Sequence, residues 1–226
     1  MKVILFGATG MIGQAALLAC LDDPDVTQVL AVVRRPTGRT HARLAEVMVK
    51  DFTDYAALEP ALTGYDACLF CLGISAAGMS EADYRRVTYD YAVAAATTLA
   101  RLNPKMTLCF VSGQGTDATG KSWQMWARVK GETENALRAL PLGAAYMFRP
   151  GFIQPVRGVV SGTALYRGLY RVLGWMYPVL SRVFSRSVMT SDTLGRALLA
   201  AAKRGAPKAV LEAADIVKLV DESPAG

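Results

Sequence analysis

Short apolar runs of strand length alternate with longer stretches of helical period through the first 150 residues, and that alternation predicts a sheet with helices on both faces. Residues 3–6 form the first run and are followed by a helix over 14–21. A second strand is expected at 28–33 and a third at 46–50, leading to a helix over 55–62 that Asp54 caps. The fourth run, 66–72, ends at Gly73. A long helix over 80–102 opens with Ser80-x-x-Asp83 and closes at Asn103-Pro104. A strand at 106–111, a helix over about 122–140 and a strand at 144–148 complete the pattern. These strands are continuously apolar rather than alternating, as expected of parallel strands covered on both faces. The fold class is therefore α/β, a doubly wound Rossmann-type parallel sheet, with 1–226 as a single domain.

Beyond residue 150 the pattern changes. Over 163–184 aliphatic and aromatic residues alternate with arginines at helical spacing, with Leu165, Leu169, Leu173 and Met176 on one stripe. Pro178 is expected to kink or end this helix. Three readings fit the segment: a cap over a substrate pocket, a surface for a protein partner, and a helix lying in a membrane interface. The first makes 152–191 a small, basic helical C-terminal cap. Ser191 or Asp192 then caps a helix over 193–204, an edge strand is expected at 209–212, and a short helix at 215–220 closes the chain.

With 226 residues, 52% of them hydrophobic, the chain can bury a full core. No stretch approaches the ~20 unbroken apolar residues of a membrane span. The uncharged stretch after Lys2 has the look of a secretory signal, but three glycines interrupt it, and it is read as retained. Cys20, Cys68, Cys71 and Cys109 all fall in apolar patterns, which suits reduced, buried thiols in a cytoplasmic protein. Cys68 and Cys71 make a C-x-x-C inside a strand with no second pair, so no metal is expected. The only histidine, His41, sits in a polar loop, and histidine-based chemistry is not expected. The net charge of +6 comes from 25 basic and 19 acidic residues. The stretch between Asn135 and Ser191 has seven arginines and no acid, and the remainder is close to neutral. Arginines interleaved with an apolar stripe suggest packing rather than a phosphate-tracking face, so no nucleic acid partner is expected.

The candidate chemistry begins at KVILFGATGMIG. Gly7, Gly10 and Gly13 fall three apart between a strand and a helix: one for a tight turn, one for close approach of a pyrophosphate, one for packing of helix on strand. The free amides and positive dipole end of the helix would hold the phosphates. At the end of the second strand stand Arg34-Arg35-Pro36, with no acid. An acid there accepts bonds from ribose hydroxyls, whereas arginine suits a 2′-phosphate, so NADP (NADPH) is favoured over NAD.

GATGMIG, Asp51-Phe52 after the third strand, CLG at 71–73, SGQGTD at 112–117, VKGE at 129–132 and RPG at 149–151 together resemble the atypical and extended short-chain dehydrogenases/reductases, including members described as NAD-dependent epimerase/dehydratase-like. The resemblance covers about residues 1–155. It implies that Gly7, Thr9, Gly10, Met11, Ile12 and Gly13 meet the pyrophosphate and Arg34 the 2′-phosphate. It places Asp51 and Phe52 by the adenine, Cys71, Leu72 and Gly73 by the adenosine-side ribose, and Pro150, Gly151, Phe152 and Ile153 near the nicotinamide. Lys130 matches the lysine that binds the nicotinamide ribose, and Ser112 is nearest to the family's catalytic serine, although the commoner alignment falls on Gly113. Lys130 and Ser112 are thus the candidate catalytic residues.

One departure matters most. Four residues before Lys130, where the family has tyrosine, stands Trp126. A phenol beside an ammonium can exchange a proton near neutral pH, and an indole cannot. The resemblance therefore implies either an oxidoreductase or epimerase-like enzyme acting on a small carbonyl, quinone or flavin-type acceptor, or a catalytically inactive NADP-binding sensor. The basic segment suits an anionic small-molecule substrate. By analogy with the superfamily, a homodimer through the helices after strands four and five is expected.

Overall fold

The computed structural model describes residues 1–159 and 188–221. In chain order it contains β1 (Lys2–Phe6), α1 (Met11–Asp22), β2 (Gln28–Val33), β3 (Leu44–Met48), a 3₁₀ turn (Ala56–Leu58) running into α2 (Glu59–Leu62), and β4 (Ala67–Phe70). Next come α3 (Glu81–Arg85), a π turn (Arg86–Asp90) and α4 (Tyr91–Leu102), then β5 (Thr107–Val111), α5 (Met125–Arg138) and β6 (Ala144–Arg149). Then follow β7 (Phe152–Gln154), β8 (Val188–Thr190), α6 (Ser191–Arg204), β9 (Val210–Glu212) and α7 (Ala213–Asp221).

Seven strands pair in the order β3-β2-β1-β4-β5-β6-β9, and every pairing is parallel. The order reverses between β1 and β4, which opens a crevice at their carboxyl ends. Along β1 the side chains alternate between two apolar layers. Val3 and Leu5 face a layer with Leu17, Leu194, Leu198 and Ile216 from α1, α6 and α7. Ile4 and Phe6 face a layer with Leu99 and Leu137 from α4 and α5. In that second layer Phe6, Phe70 and Phe110 cross three neighbouring strands at centroid distances of 5.0 and 5.9 Å. Each fully buried ring contributes on the order of 2–3 kcal/mol by leaving water.

The doubly wound α/β sheet expected from the sequence is present, with local differences. The third strand lies two residues earlier than the apolar pattern suggests. Most of it is at least partly exposed, so it has no buried face to pin its register. It is set instead by Arg43, whose guanidinium donates to the carbonyls of Leu21, Asp23 and Val26 at the end of α1. The helix over 55–62 is a 3₁₀ turn and one α turn, begun by Asp54 Oδ1 accepting from Ala56 N at 2.9 Å. Thr190, rather than Ser191 or Asp192, caps α6, accepting from Thr193 N at 3.0 Å. Ser80 caps α3 and donates to Asp83, as the sequence pattern anticipates.

The expected cap region begins and ends in strands: β7 and β8 pair in parallel as a second, two-stranded sheet. Arg157, just after β7, has a φ of 58° and bonds Asp22 and Asp192 at 2.7 and 3.0 Å. The basic helix expected over 163–184 lies outside the described residues.

Candidate functional site

The site is built where β1 hands over to α1. Gly7 has a φ of +80°, and a Cβ there would stand 2.6 Å from the main chain of Cys71 and Leu72. Only glycine lets the first loop lie this close to the end of β4. A Cβ on Gly13 would meet the Gly7 carbonyl oxygen at 1.9 Å, so the third glycine is a packing requirement. The middle one differs. A Cβ on Gly10 would meet nothing nearer than 3.4 Å, which leaves its backbone open to the crevice. Gly10 N donates to Gly7 O at 2.9 Å, and Gln14 fixes the loop through Nε2 to Thr9 O at 3.0 Å. Gly10 is also the N-cap of α1 and supplies no side-chain cap, so amides of the first turn are available to an anion. The Met11 and Ile12 side chains are partly buried against the core.

A cavity of about 460 Å³ opens from this loop. Its walls are residues 7–10, the end of β2 from Val32 to Arg35, Phe52, and Cys71 to Gly73. Phe52 is nearly fully buried and stacks on Tyr91 at 5.5 Å, so it forms a rigid apolar wall. Its neighbour Asp51 does not line the cavity. The Asp51 carboxylate accepts from Thr53 N and Oγ1 at 2.9 and 2.7 Å, bonds that hold it below the usual carboxylate range. Burial pushes the Cys71 thiol well up, making it a neutral wall element.

Arg34 and Arg35 are exposed on the rim, and among the described residues neither has a carboxylate partner. Glu46, the nearest acid of β3 in sequence terms, is occupied by Thr37. A second cavity of about 540 Å³ shares Ala8, Thr9 and Arg35 with the first and adds Arg39. Arg35 and Arg39 lie outside the residues that the family resemblance assigns to the cofactor. The doublet at 34–35 carried the signal for the first, and nothing in the polar loop 37–43 marked the second.

The groups expected at the catalytic end lie on β5, α5 and the end of β6. Lys130 Nζ donates to Val111 O at 3.4 Å and sits 5.6 Å above the Phe110 ring. Burial of its ammonium pulls it down to about 8, against the opposing pull of the Glu134 carboxylate. Ser112 is buried, with Oγ 2.9 Å from Thr116 Oγ1. Thr116 donates to Gly113 O at 2.8 Å, so in this arrangement Ser112 is the donor between the two hydroxyls. Trp126 packs on Gly115, where a Cβ would lie 3.3 Å from the indole and φ is +86°. Pro150 O accepts from Gln114 N at 2.9 Å. Pro150, Gly151, Phe152 and Ile153 do not line the first cavity; Phe152 and Ile153 belong to β7, and Ile153 is part of the core.

Known proteins resemble this chain in sequence and in fold. A family model described as NAD(P)H-binding matches residues 7–153. Protein fmp52, mitochondrial, of Emericella nidulans is 27% identical over 204 residues, covering 87% of this chain and 84% of its own. Protein FMP52, mitochondrial, of Eremothecium gossypii is 26% identical over 98% of both chains. Among solved structures, the Bordetella bronchiseptica enzyme WbmF in complex with NAD+ superposes with a TM-score of 0.66 at 14% identity, covering 96% of this chain and 76% of that one. An oxidoreductase of the short-chain dehydrogenase/reductase family from Burkholderia thailandensis gives 0.67 at 19% identity, over 89% and 85%. These likenesses establish the fold. The mitochondrial names of the fungal relatives overturn the expectation of a cytoplasmic location. That expectation rested on unpaired cysteines, which identify no compartment; Cys20, Cys68 and Cys109 are buried as expected, while Cys71 is partly exposed.

Proposed function

Because this chain belongs to the NAD(P)H-binding family, we propose that it is an NADPH-dependent oxidoreductase of the short-chain dehydrogenase/reductase type whose acceptor, a quinone or flavin-type molecule, takes its proton from solvent. The observation that carries the acceptor class is Trp126. It fills the position four residues before Lys130 and packs on Gly115, so no phenol stands there. The Ser112 hydroxyl is hydrogen-bonded to Thr116 Oγ1, which in turn donates to Gly113 O, so it is turned to its own loop. Reduction of an isolated carbonyl needs a proton delivered to oxygen as the hydride arrives. A quinone or flavin spreads the charge and is protonated by water afterwards.

The residues present fit the dinucleotide. Gly7 and Gly13 stand where any Cβ would collide with main chain, and Gly10 leaves a cradle open. The amides at the start of α1 would hold the pyrophosphate, Phe52 would flank the adenine, and Arg34 and Arg35 would meet the 2′-phosphate. Bound NADPH supplies the hydride. Lys130 would bind the nicotinamide ribose from α5. A small carbonyl acceptor would have to draw its proton from Lys130, the group at this end that exchanges one near pH 8.

The test is calorimetric titration of ligand-free protein with NADPH and NADH, followed by NADPH oxidation with quinones, flavin and aldehydes. NADPH is expected to bind more tightly than NADH. Arg34→Ala and Arg35→Ala should each weaken NADPH about tenfold or more, the worth of one charge-assisted contact, and leave NADH unchanged. Turnover with quinone or flavin supports the enzyme. Tight binding with no turnover for any acceptor turns the reading to a sensor, and no binding of either nucleotide overturns both.

A further inference from the structure

A buried ion pair joins the helix of Lys130 to the turn after β6, and the cofactor reading makes no use of it. Glu134, one helical turn beyond Lys130 on α5, is 1% exposed. Arg149, the last residue of β6, grips it with a two-pronged contact, Nε to Oε1 at 2.9 Å and Nη2 to Oε2 at 2.6 Å. Its remaining prong, Nη1, reaches Glu212 on β9 at 3.1 Å. A carboxylate this deep is tolerable only in such a fork. Pro150 and Gly151 follow Arg149 directly, and Pro150 O in turn holds Gln114 of the loop after β5.

We propose that Glu134 is a positioning residue: through Arg149 it locks the Pro150–Gly151 turn to the helix that carries Lys130, so that the two parts of the nicotinamide end keep one relation and Lys130 keeps a charged neighbour. The inference rests on the reading of Lys130 as a cofactor ligand.

The surrounding charges leave Glu134 as the group that acts on Lys130. α3 carries Glu81, Asp83, Tyr84 and Arg85; of these Glu81 pairs with Arg128 and Arg85 with Glu132 on the outer side of α5. The π turn carries Arg86, Tyr89 and Asp90, and α4 begins with Tyr91. β5 offers the Val111 carbonyl and no charge. β6 offers Tyr146 and Arg149, the latter held by Glu134 and Glu212. The Asp117 carboxylate in the preceding loop is bound to Thr119 and Ser122. Of all these, only the Glu134 carboxylate is a charge that shifts Lys130, and it favours the ammonium.

The experiment reads the titration of Lys130 in the ligand-free full chain, from the pH dependence of its acetylation by acetic anhydride, resolved by mass spectrometry. Wild type should show half-reaction near pH 8. Glu134→Gln keeps the shape, removes the charge, and should move the titration down by about one pH unit. NADPH affinity should then fall already at pH 6, where the lysine stays charged and only the weakened fork is read, and by about a further fivefold at pH 8, where less of the lysine is charged. Glu212→Gln, on the exposed side of Arg149, should leave Lys130 unmoved. A folded Glu134→Gln with Lys130 unshifted overturns the proposal, as does a wild-type Lys130 that titrates at an ordinary lysine value. If Glu134→Gln does not fold, Glu134→Asp, which draws the carboxylate back by one methylene, should shift Lys130 downward by a smaller amount, and no shift overturns the proposal there too. Failure of wild type to bind NADPH would sink the cofactor reading while the labelling result still decides whether Glu134 governs Lys130.

Discussion

Gly131 of α5 lies so close to the main-chain carbonyl of Asp117 that a Cβ on it would stand 1.9 Å from the oxygen. The helix of Lys130 is thereby seated on the loop leaving β5. Gly131→Ala must push helix and loop apart, an overpacking cost of about 2–3 kcal/mol. For a chain of this size that is a fall in Tm of roughly 5–10 °C. NADPH binding should weaken with it because Lys130 moves, and thermal melts with calorimetry check both.

Ser112→Ala distinguishes a catalytic hydroxyl from a structural one. With its hydrogen bond to Thr116 removed, loss of the Ser112 hydroxyl should cost about 1 kcal/mol of stability. Turnover with a quinone should stay within about twofold. A drop of a hundredfold or more in kcat would show that the hydroxyl swings to the substrate.

Trp126→Tyr places a phenol four residues before Lys130. General acid catalysis is worth about a hundredfold or more where it is positioned. Aldehyde reduction should rise by at least about tenfold, and quinone reduction should hardly change. Steady-state rates with both acceptors give the answer, and equal changes in the two would count against a solvent-protonated acceptor.

Lys130 ties the site to pH. Its folded value, about 8, lies below the ordinary lysine value of 10.5, so between these the unfolded chain binds more protons. Burying the ammonium thus costs stability throughout the range below about pH 8, and that cost fades as pH rises from 8 to 10.5. Lys130→Met should stabilise the fold at pH 7 by on the order of 1–3 kcal/mol, with the gain vanishing above pH 10, while NADPH affinity falls. Denaturant melts at several pH values measure it.

The sheet and the glycine-rich turn between β1 and α1 were legible because they are written in neighbouring residues: an apolar run, three spaced glycines, a helix. β3 was misplaced by two residues because a half-exposed edge strand lacks an apolar face and takes its register from Arg43, a contact twenty residues distant in the chain. β7 and β8 are three residues each, too short for any periodicity to register. The Ser112–Thr116 bond and the Glu134–Arg149 fork were equally silent, since which polar groups satisfy one another is decided by folding. Arg34 and Lys130 could be picked out by motif; that Asp51 is bound to its own loop could not.

The parallel pairing of β7 with β8 has a consequence for how this scaffold changes over time. The last residue of β7 and the first of β8 lie about 8 Å apart by strand geometry, yet 33 residues of chain run between them. The entropy of closing such an excursion grows only with the logarithm of its length. A change in the length of that connection therefore costs little in chain entropy, and it leaves untouched the seven-stranded sheet, to which neither β7 nor β8 belongs.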